Sequence, residues 1–323
     1  MNTKPLVAID ADTLLFSHAA FNEYRSIEVL HKPSGKSKVF SNRTEFKKSM
    51  KDRGKEITAD YAVKDKQEAG EISHVLQGIK ATVEEILDNY SGFEVIFCCT
   101  AEDNFRDTLP YPRQYKGNRD SSLRPIFLKD AQTYLLEKYN AKPAMGCEVD
   151  DLVGILGYEA VKQGREGYVL SPDKDSKQFD GLRLGSYKSK PDECLKIDFM
   201  HDLKWDDGIV SFGFPWMIYQ LTIGDVTDNL KPTHLCTARY GAKGFYNDTK
   251  DFKTPEEFAV FAVNKYKQWY PKEFTYEDWT GKEVKADWKF ILNLYWKGIA
   301  MQREHNKLPD FWDFLSEKGL QSC

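Results

Sequence analysis

"YVLSPDKDSKQF", residues 168–179, is the stretch from which the fold can be read. Tyr168, Val169 and Leu170 are a short apolar run of strand character, and a Ser171-Pro172 break stops it. Asp173 and Asp175 follow, with Lys174 between them. Like charges held this close cost free energy unless something positive sits between them. A buried strand that runs into two carboxylates fits an open parallel sheet, in which ligands bind beyond the carboxyl ends of the strands.

The surrounding sequence repeats that pattern. "PLVAID" (5–10), "FEVIFC" (93–98) and "LRLGSY" (182–187) read as further strands. "EISHVLQGIKATVEEILDNY" (71–90) reads as an amphipathic helix, with Ile72, Val75, Leu76, Ile79, Val83, Ile86 and Leu87 on one stripe. Helices are expected near 128–139 and 149–163. Strands separated by helices of this length argue for βαβ units, an α/β fold and a mainly parallel sheet. Beyond about residue 205 the pattern turns helical, in "IVSFGFPWMIYQLTIG" (209–224), "TPEEFAVFAVNKYKQWY" (254–270) and "ADWKFILNLYWKGIAMQREH" (286–305). The expected division is an α/β core over 1–205 and a helical part over 206–323. Residues 25–66 are polar and rich in Lys and Arg, and read as a partly mobile insertion, either a solvated excursion or a DNA-contacting one.

Composition bounds the function classes. The 323 residues are 41% hydrophobic and 30% charged, which fits a globular protein with a full core. No apolar run approaches the roughly 20 residues of a membrane span. The start, "MNTKPLVAID", lacks the apolar segment and cleavage site of a signal peptide. The six cysteines form no C-x-x-C pair and read as free thiols of a reducing cytoplasm, the host cell's if the chain is phage-encoded. A net charge of −4 gives no global nucleic-acid signal, so any such signal is local.

The acids at strand ends carry the chemistry. Asp10 and Asp12 end the first strand, and Asp173 and Asp175 follow the third. "GCEVDDLVGIL" (146–156) sets Glu148, Asp150 and Asp151 at a helix start, and "IGDVTDNL" (223–230) sets Asp225 and Asp228 one turn apart. Singly, each group has a plainer explanation as helix cap or turn residue. Together they form a hard oxygen donor set with few His or Cys partners, which suits Mg²⁺ or Mn²⁺ rather than Zn²⁺. Two divalent ions would absorb the repulsion and clamp a phosphodiester for attack by water. "NFRDTLPYPRQYKGNRDSSLRP" (104–125) adds Arg106, Arg113, Lys116, Arg119 and Arg124, interleaved with Phe105, Tyr111 and Tyr115. Basic residues neutralise phosphates and aromatics stack on unpaired bases, although an ordinary solvated loop has the same polarity.

In this order, "VAIDAD", "YKGNR", "EVDDLVG", "SPDKDSKQF" and "IGDVTDN" resemble the motifs of the 5′-nuclease family, across roughly residues 7–230. The family includes flap endonucleases, the 5′-nuclease domain of bacterial DNA polymerase and bacteriophage 5′→3′ exonucleases, and the phage branch looks most similar. The resemblance implies a PIN-like core and Mg²⁺-dependent hydrolysis of DNA at 5′ ends, flaps or nicks, with RNA–DNA hybrid also a substrate class. Asp10, Glu148, Asp150, Asp173 and Asp175 would hold the metals directly or through water, with Asp151, Asp225 and Asp228 at the second position. Lys116 and Arg119 would contact the scissile phosphate and Tyr115 would stack on the terminal base. Arg106, Arg113 and Lys243 would bind DNA. The segment 118–142, within an arch-like region 105–142, would pass a 5′ single strand.

Two departures stand out. The family carries an acid just after the second strand, where this chain has Cys98 or Ala101, so Glu102 or Asp103 would substitute. Of the family's Gly-rich duplex grip only Gly241, Lys243 and Gly244 are matched. Two other functions use part of the sequence. A haloacid-dehalogenase-type phosphatase would form a phospho-aspartate at Asp10, but its motifs are mis-spaced here and leave "EVDD" and "YKGNR" unused. A catalytically inactive nucleic-acid-binding relative would gain nothing from acids that face phosphate.

Overall fold

The computed structural model describes residues 3–101, 103–119 and 123–320. In chain order the strands are β1 (Leu6–Asp10), β2 (Glu23–His31), β3 (Lys36–Phe40), β4 (Tyr61–Ala69), β5 (Glu94–Thr100), β6 (Lys142–Ala144), β7 (Gly167–Leu170), β8 (Arg183–Gly185) and β9 (Leu195–Lys196). Two short hairpins add β10 (Lys204–Trp205) with β11 (Ile209–Val210), and β12 (Phe274–Glu277) with β13 (Glu283–Ala286). The helices are α1 (Asp12–Phe21), α2 (Arg43–Asp52), α3 (Ile72–Asn89), α4 (Leu128–Tyr139), α5 (Val149–Lys162), α6 (Gly213–Ile223), α7 (Ala242–Thr249), α8 (Pro255–Trp269), α9 (Trp288–Ile299) and α10 (Phe311–Glu317). The chain forms two compact units, residues 1–12, 85–122 and 140–323 in one and 13–84 and 123–139 in the other.

The first unit holds a six-stranded sheet in the order β6-β5-β1-β7-β8-β9, parallel except for β9. β1 is central and fully buried, which is why it reads as an unbroken apolar run. Its register aligns Asp10 with Cys98 on β5 and Ile9 with Leu170 on β7. The tips of three strands are therefore level, and Asp10 comes beside Ser171. α5 lies close against this sheet because small residues face it. A Cβ at Gly167 would sit 2.6 Å from the carbonyl oxygen of Gly157, so backbone contacts backbone there. A second core in the same unit gathers α6, α8, α9 and α10 around Phe214, Phe258, Tyr266, Trp296 and Phe311.

Three expectations change on contact with the fold. Residues 25–66 are no loose excursion, because β3-β2-β4 form an antiparallel sheet with α2 over Ile27, Val29, Phe40, Phe46 and Met50. Those apolar residues are spread thinly among lysines, so no single segment announces its strand. Lys36, Lys47, Lys48, Lys51, Arg53 and Lys55 remain exposed around it. The helix expected over 209–224 begins only at Gly213, after the strand β11. The helix expected to reach residue 305 stops at Ile299, where Ala300 turns extended.

Arg106 explains that stop and corrects a fourth expectation. It does not face DNA, for it is wholly buried. Its guanidinium donates to Asp151 at 2.6 and 3.1 Å and to the carbonyls of Gly298 and Ala300, both at 2.9 Å. Removing one partner of a buried ion pair leaves an uncompensated charge and costs about 3–5 kcal/mol. Arg106→Ala should lose roughly that much stability in chemical denaturation, whereas Arg113→Ala, at an exposed position, should stay within about 0.5 kcal/mol of the parent. Equal stability of the two variants would overturn the buried-pair account.

Candidate metal centre

The strand tips and the start of α5 bring the acids together. Asp10 is buried at the end of β1, where it accepts a hydrogen bond from Ser171 Oγ at 3.0 Å and one from the Asp12 backbone at 3.0 Å. Burial, and then the charges of Asp12 and Asp173, push its carboxyl up to about 7. Asp150 stands in the first turn of α5, and its enclosed Oδ1 has no hydrogen-bond partner among the described residues. Burial raises its pKa well above the ordinary range, and the neighbouring charges of Asp10, Asp173, Asp175 and Glu148 add to the rise. Asp175 is pushed up to about 8 by burial and by Asp173, Asp228 and Asp225.

A second group lies alongside. Carboxylate oxygens of Asp175, Asp225 and Asp228 all lie within 4.8 Å of one another, in a buried cluster that could hold a metal ion. Gln220 of α6 donates to Asp175 Oδ1. Gln178 donates to the Ile299 carbonyl at 2.8 Å and accepts from the Met301 backbone at 3.0 Å. The loop after β7 is thus fixed by helices from the C-terminal third of the chain.

The "YKGNR" loop meets this cluster directly. The Lys116 backbone donates to the Asp228 carbonyl at 3.0 Å, Asn118 to that of Val226 at 2.8 Å, and Arg119 Nε to that of Thr227 at 3.1 Å. Asn229 returns a bond to the Gln114 carbonyl at 2.9 Å. Lys116 adopts a left-handed φ of 54° to do this, a strained choice for a non-glycine residue that the surrounding bonds enforce. Its ammonium pairs with Glu148, and Arg119 pairs with Asp228 at 2.6 Å. Burial alone would raise the Glu148 carboxyl, but Arg106 and Lys116 outweigh it and hold the group below its usual value.

Asp10, Asp150, Asp173, Asp175, Asp225 and Asp228 therefore share one wall, with Glu148, Lys116 and Arg119 at its edge. Asp151 does not join them. Its oxygens accept from Arg106, from the Glu148 backbone at 3.0 Å and from the Gln302 backbone at 2.8 Å, so it caps α5 and neutralises Arg106. Tyr115 does not await a base either. Its ring is buried beside Tyr111, and its hydroxyl lies 3.0 Å from both Glu148 Oε2 and Asp228 Oδ2, donating to one at a time. Arg113, and Lys243 near the start of α7, are exposed. Cys98 is core, Asp103 is exposed, and Glu102 lies outside the described residues. Asp12 accepts both the backbone and the hydroxyl hydrogen of Thr100 and so ties the tip of β1 to that of β5. The "D-x-D" spacing was its signal in the sequence.

The donor set fits hard divalent cations: all oxygen, largely buried, with an orphaned carboxylate oxygen at Asp150. Asp10 and Asp175 are ordinary carboxylates near 3.8 when unfolded and rise to about 7 and 8 when folded. Between those values the native state binds more protons than the unfolded chain, so raising the pH destabilises it. In EDTA the melting temperature should fall as pH rises from about 5 to 8. A divalent cation should flatten that slope by taking the place of the protons. A metal-free melting temperature that held level or rose across this range would mean that the acids are not crowded together.

No family model matches the chain. Among curated proteins it is similar to a 5′-3′ exonuclease of Buchnera aphidicola subsp. Schizaphis graminum, 29% identical over 112 residues that make up 33% of this chain and 38% of the relative. It is also similar to a 5′-3′ exonuclease of Buchnera aphidicola subsp. Acyrthosiphon pisum, 27% identical over 168 residues, 50% of this chain and 56% of the relative. The chain thus spans only about 38–56% of the length of these curated relatives. Among solved structures it is similar to T5 5′-exonuclease with bound zinc, at 15% identity and a TM-score of 0.42, over 92% of this chain and 98% of the other. A complex of the bacteriophage T5 flap endonuclease with DNA and metal ions has 15% identity and a TM-score of 0.38, over 59% of this chain and 84% of the other. These structural likenesses are loose. It is the matches to curated 5′-3′ exonucleases that support a 5′-nuclease family for this chain.

Proposed function

We propose that the chain is a divalent-metal-dependent nuclease that hydrolyses DNA phosphodiesters near 5′ ends and leaves 3′-hydroxyl and 5′-phosphate products. The observation that carries this reading is the orphaned Asp150 oxygen among acids from four separate segments, with Lys116 and Arg119 at their edge. Asp10, Asp150 and Asp173 would hold one ion, and Asp175, Asp225 and Asp228 the other, with Mg²⁺ the expected metal and Mn²⁺ able to substitute. Two such ions supply an activated water and neutralise charge on the phosphate.

The chain's own residues do the rest. Lys116 and Arg119 exchange carboxylate partners for the phosphate, and their charge stabilises the negative oxygens that develop as the bond breaks. Glu148 positions Lys116 until then. Arg113, Lys243 and the exposed lysines around α2 lie on surfaces suited to backbone phosphates. Residues 1–205 would carry the chemistry, and 206–323 would add duplex contacts while bracing the acid wall. Ends, nicks, flaps and RNA–DNA hybrids are the substrate forms to compare. Phospho-aspartate chemistry at Asp10 would leave "EVDD" and "YKGNR" without a role.

Two measurements test the reading. With 5′- and 3′-labelled duplex, flap and hybrid substrates, Mg²⁺ should release short products from the 5′ side, and EDTA should stop it reversibly. Asp173→Asn should lower cleavage by orders of magnitude while metal-free DNA binding holds or improves, since a repulsive charge is gone. Cleavage that survives excess chelator would end the metal-nuclease proposal. Separately, Lys116→Ala should slow single-turnover cleavage by about 10²–10³ with a much smaller loss of affinity, which is spread over many phosphates. If affinity fell and the chemical step did not, "YKGNR" would be a docking loop.

A further inference from the structure

The two halves of the acid wall are neutralised differently. Asp10, Asp150 and Asp173 form no ion pair with Lys or Arg among the described residues; Asp10 and Asp173 accept only hydroxyl and backbone hydrogens. In the other half, Asp225 and Asp228 are matched by cations of the chain, while Asp175 accepts from Gln220. Lys174 Nζ lies 2.6 Å from Asp225 Oδ2, Arg119 lies 2.6 Å from Asp228 Oδ1, and Lys116 lies 3.9 Å from that same oxygen.

Lys174 differs from the other two in how it is held. Lys116 and Arg119 are pinned by the stitched loops. Lys174 projects from the turn between Asp173 and Asp175; its side chain, 42% exposed against 46% for Arg119, has Asp225 as its one ion-pair partner among the described residues, and its flexible stem can release the ammonium to solvent. Asp225, by contrast, is 5% exposed and held by a reciprocal backbone bridge with Leu230, each bond 2.8 Å. The carboxylate is fixed and the cation is movable.

We propose that Lys174 is a tethered competitor for the divalent cation at Asp175, Asp225 and Asp228. Its ammonium occupies the acceptor that the ion needs, so this position is the weaker of the two, and the Asp10–Asp150–Asp173 position fills first. The inference rests on the metal reading above, but it concerns binding alone and needs no turnover.

Mn²⁺ binding to the full chain without DNA, followed by the electron paramagnetic resonance of free Mn²⁺ and by calorimetry, tests it. The parent should show a tighter and a weaker class of site. Lys174→Gln should tighten the weaker class by about twofold to fivefold, the scale of a partly exposed ion pair, and leave the tighter class unchanged. Lys174→Arg, which keeps the charge, should restore the parent pattern. Lys177→Gln removes an equal charge three residues away at a side chain that rests on Trp216, and should change the weaker class much less. Asp225→Asn should delete the weaker class and Asp150→Asn the tighter one. Two classes that stay unchanged in Lys174→Gln, or a weaker class that weakens further, would overturn the role of Lys174 while leaving the metal reading intact. Equal tightening in Lys177→Gln would reduce the effect to general charge and also overturn it. No Mn²⁺ binding by the parent would overturn both.

Discussion

Carboxylates crowded against the end of a buried sheet cannot all be ionised unless cations or protons compensate them. The chain meets this constraint in two ways. Asp151 is matched to Arg106, Glu148 to Lys116, Asp228 to Arg119 and Asp225 to Lys174. Asp10, Asp150, Asp173 and Asp175 are left without a basic partner among the described residues, and burial pushes Asp10 and Asp175 far above the usual carboxylate range. A purely structural site would gain from pairing those acids too. Keeping them unmatched destabilises the fold, a cost that is in keeping with the metal role proposed above.

The helices beyond residue 206 belong to this site as much as the sheet does. Gln220 of α6 holds Asp175, the segment after α9 holds Gln178, and the carbonyls of Gly298 and Ala300 hold Arg106. Each contact reaches a group that adjoins a candidate ligand. Metal ligands need this outer support because a carboxylate free to rotate gives up affinity.

The central strands and the place of the acids were legible because a buried parallel strand is written as an apolar run, and these strands are followed at once by acids. Asp10 and Asp173 show this directly. Arg106 and Tyr115 were misread for a related reason. In a polar loop, an Arg or Tyr that will be buried has the same spelling as one that will meet a phosphate or a base, and only the partner decides. For Arg106 the partner is Asp151, 45 residues away in sequence. The place of Glu148, Asp150 and Asp151 at a helix start did suggest helix capping, which is what Asp151 does. The β2–β4 sheet was hidden because Ile27, Val29 and Phe40 are too few in any one window to outweigh the lysines.

Lys116 and Arg119 carry the last step of synthesis. They are not an open basic patch, since both are already committed to acids of the wall and fixed by bonds between their loop and residues 226–229. Under the proposed function, a phosphate must draw them away from Glu148 and Asp228, which leaves those carboxylates uncompensated. A divalent ion at the acids removes that penalty, because it supplies the charge that the two side chains give up. Metal and phosphate would then favour each other's binding through the same two cations, and by linkage each would raise the other's affinity by the same factor. The stitched loops make this exchange local: the backbone stays where it is and only the ammonium and guanidinium change partners. That arrangement keeps two positive charges at the reacting phosphate without leaving them loose in the absence of substrate, and preorganisation of this kind gives fixed charges their effect on a transition state.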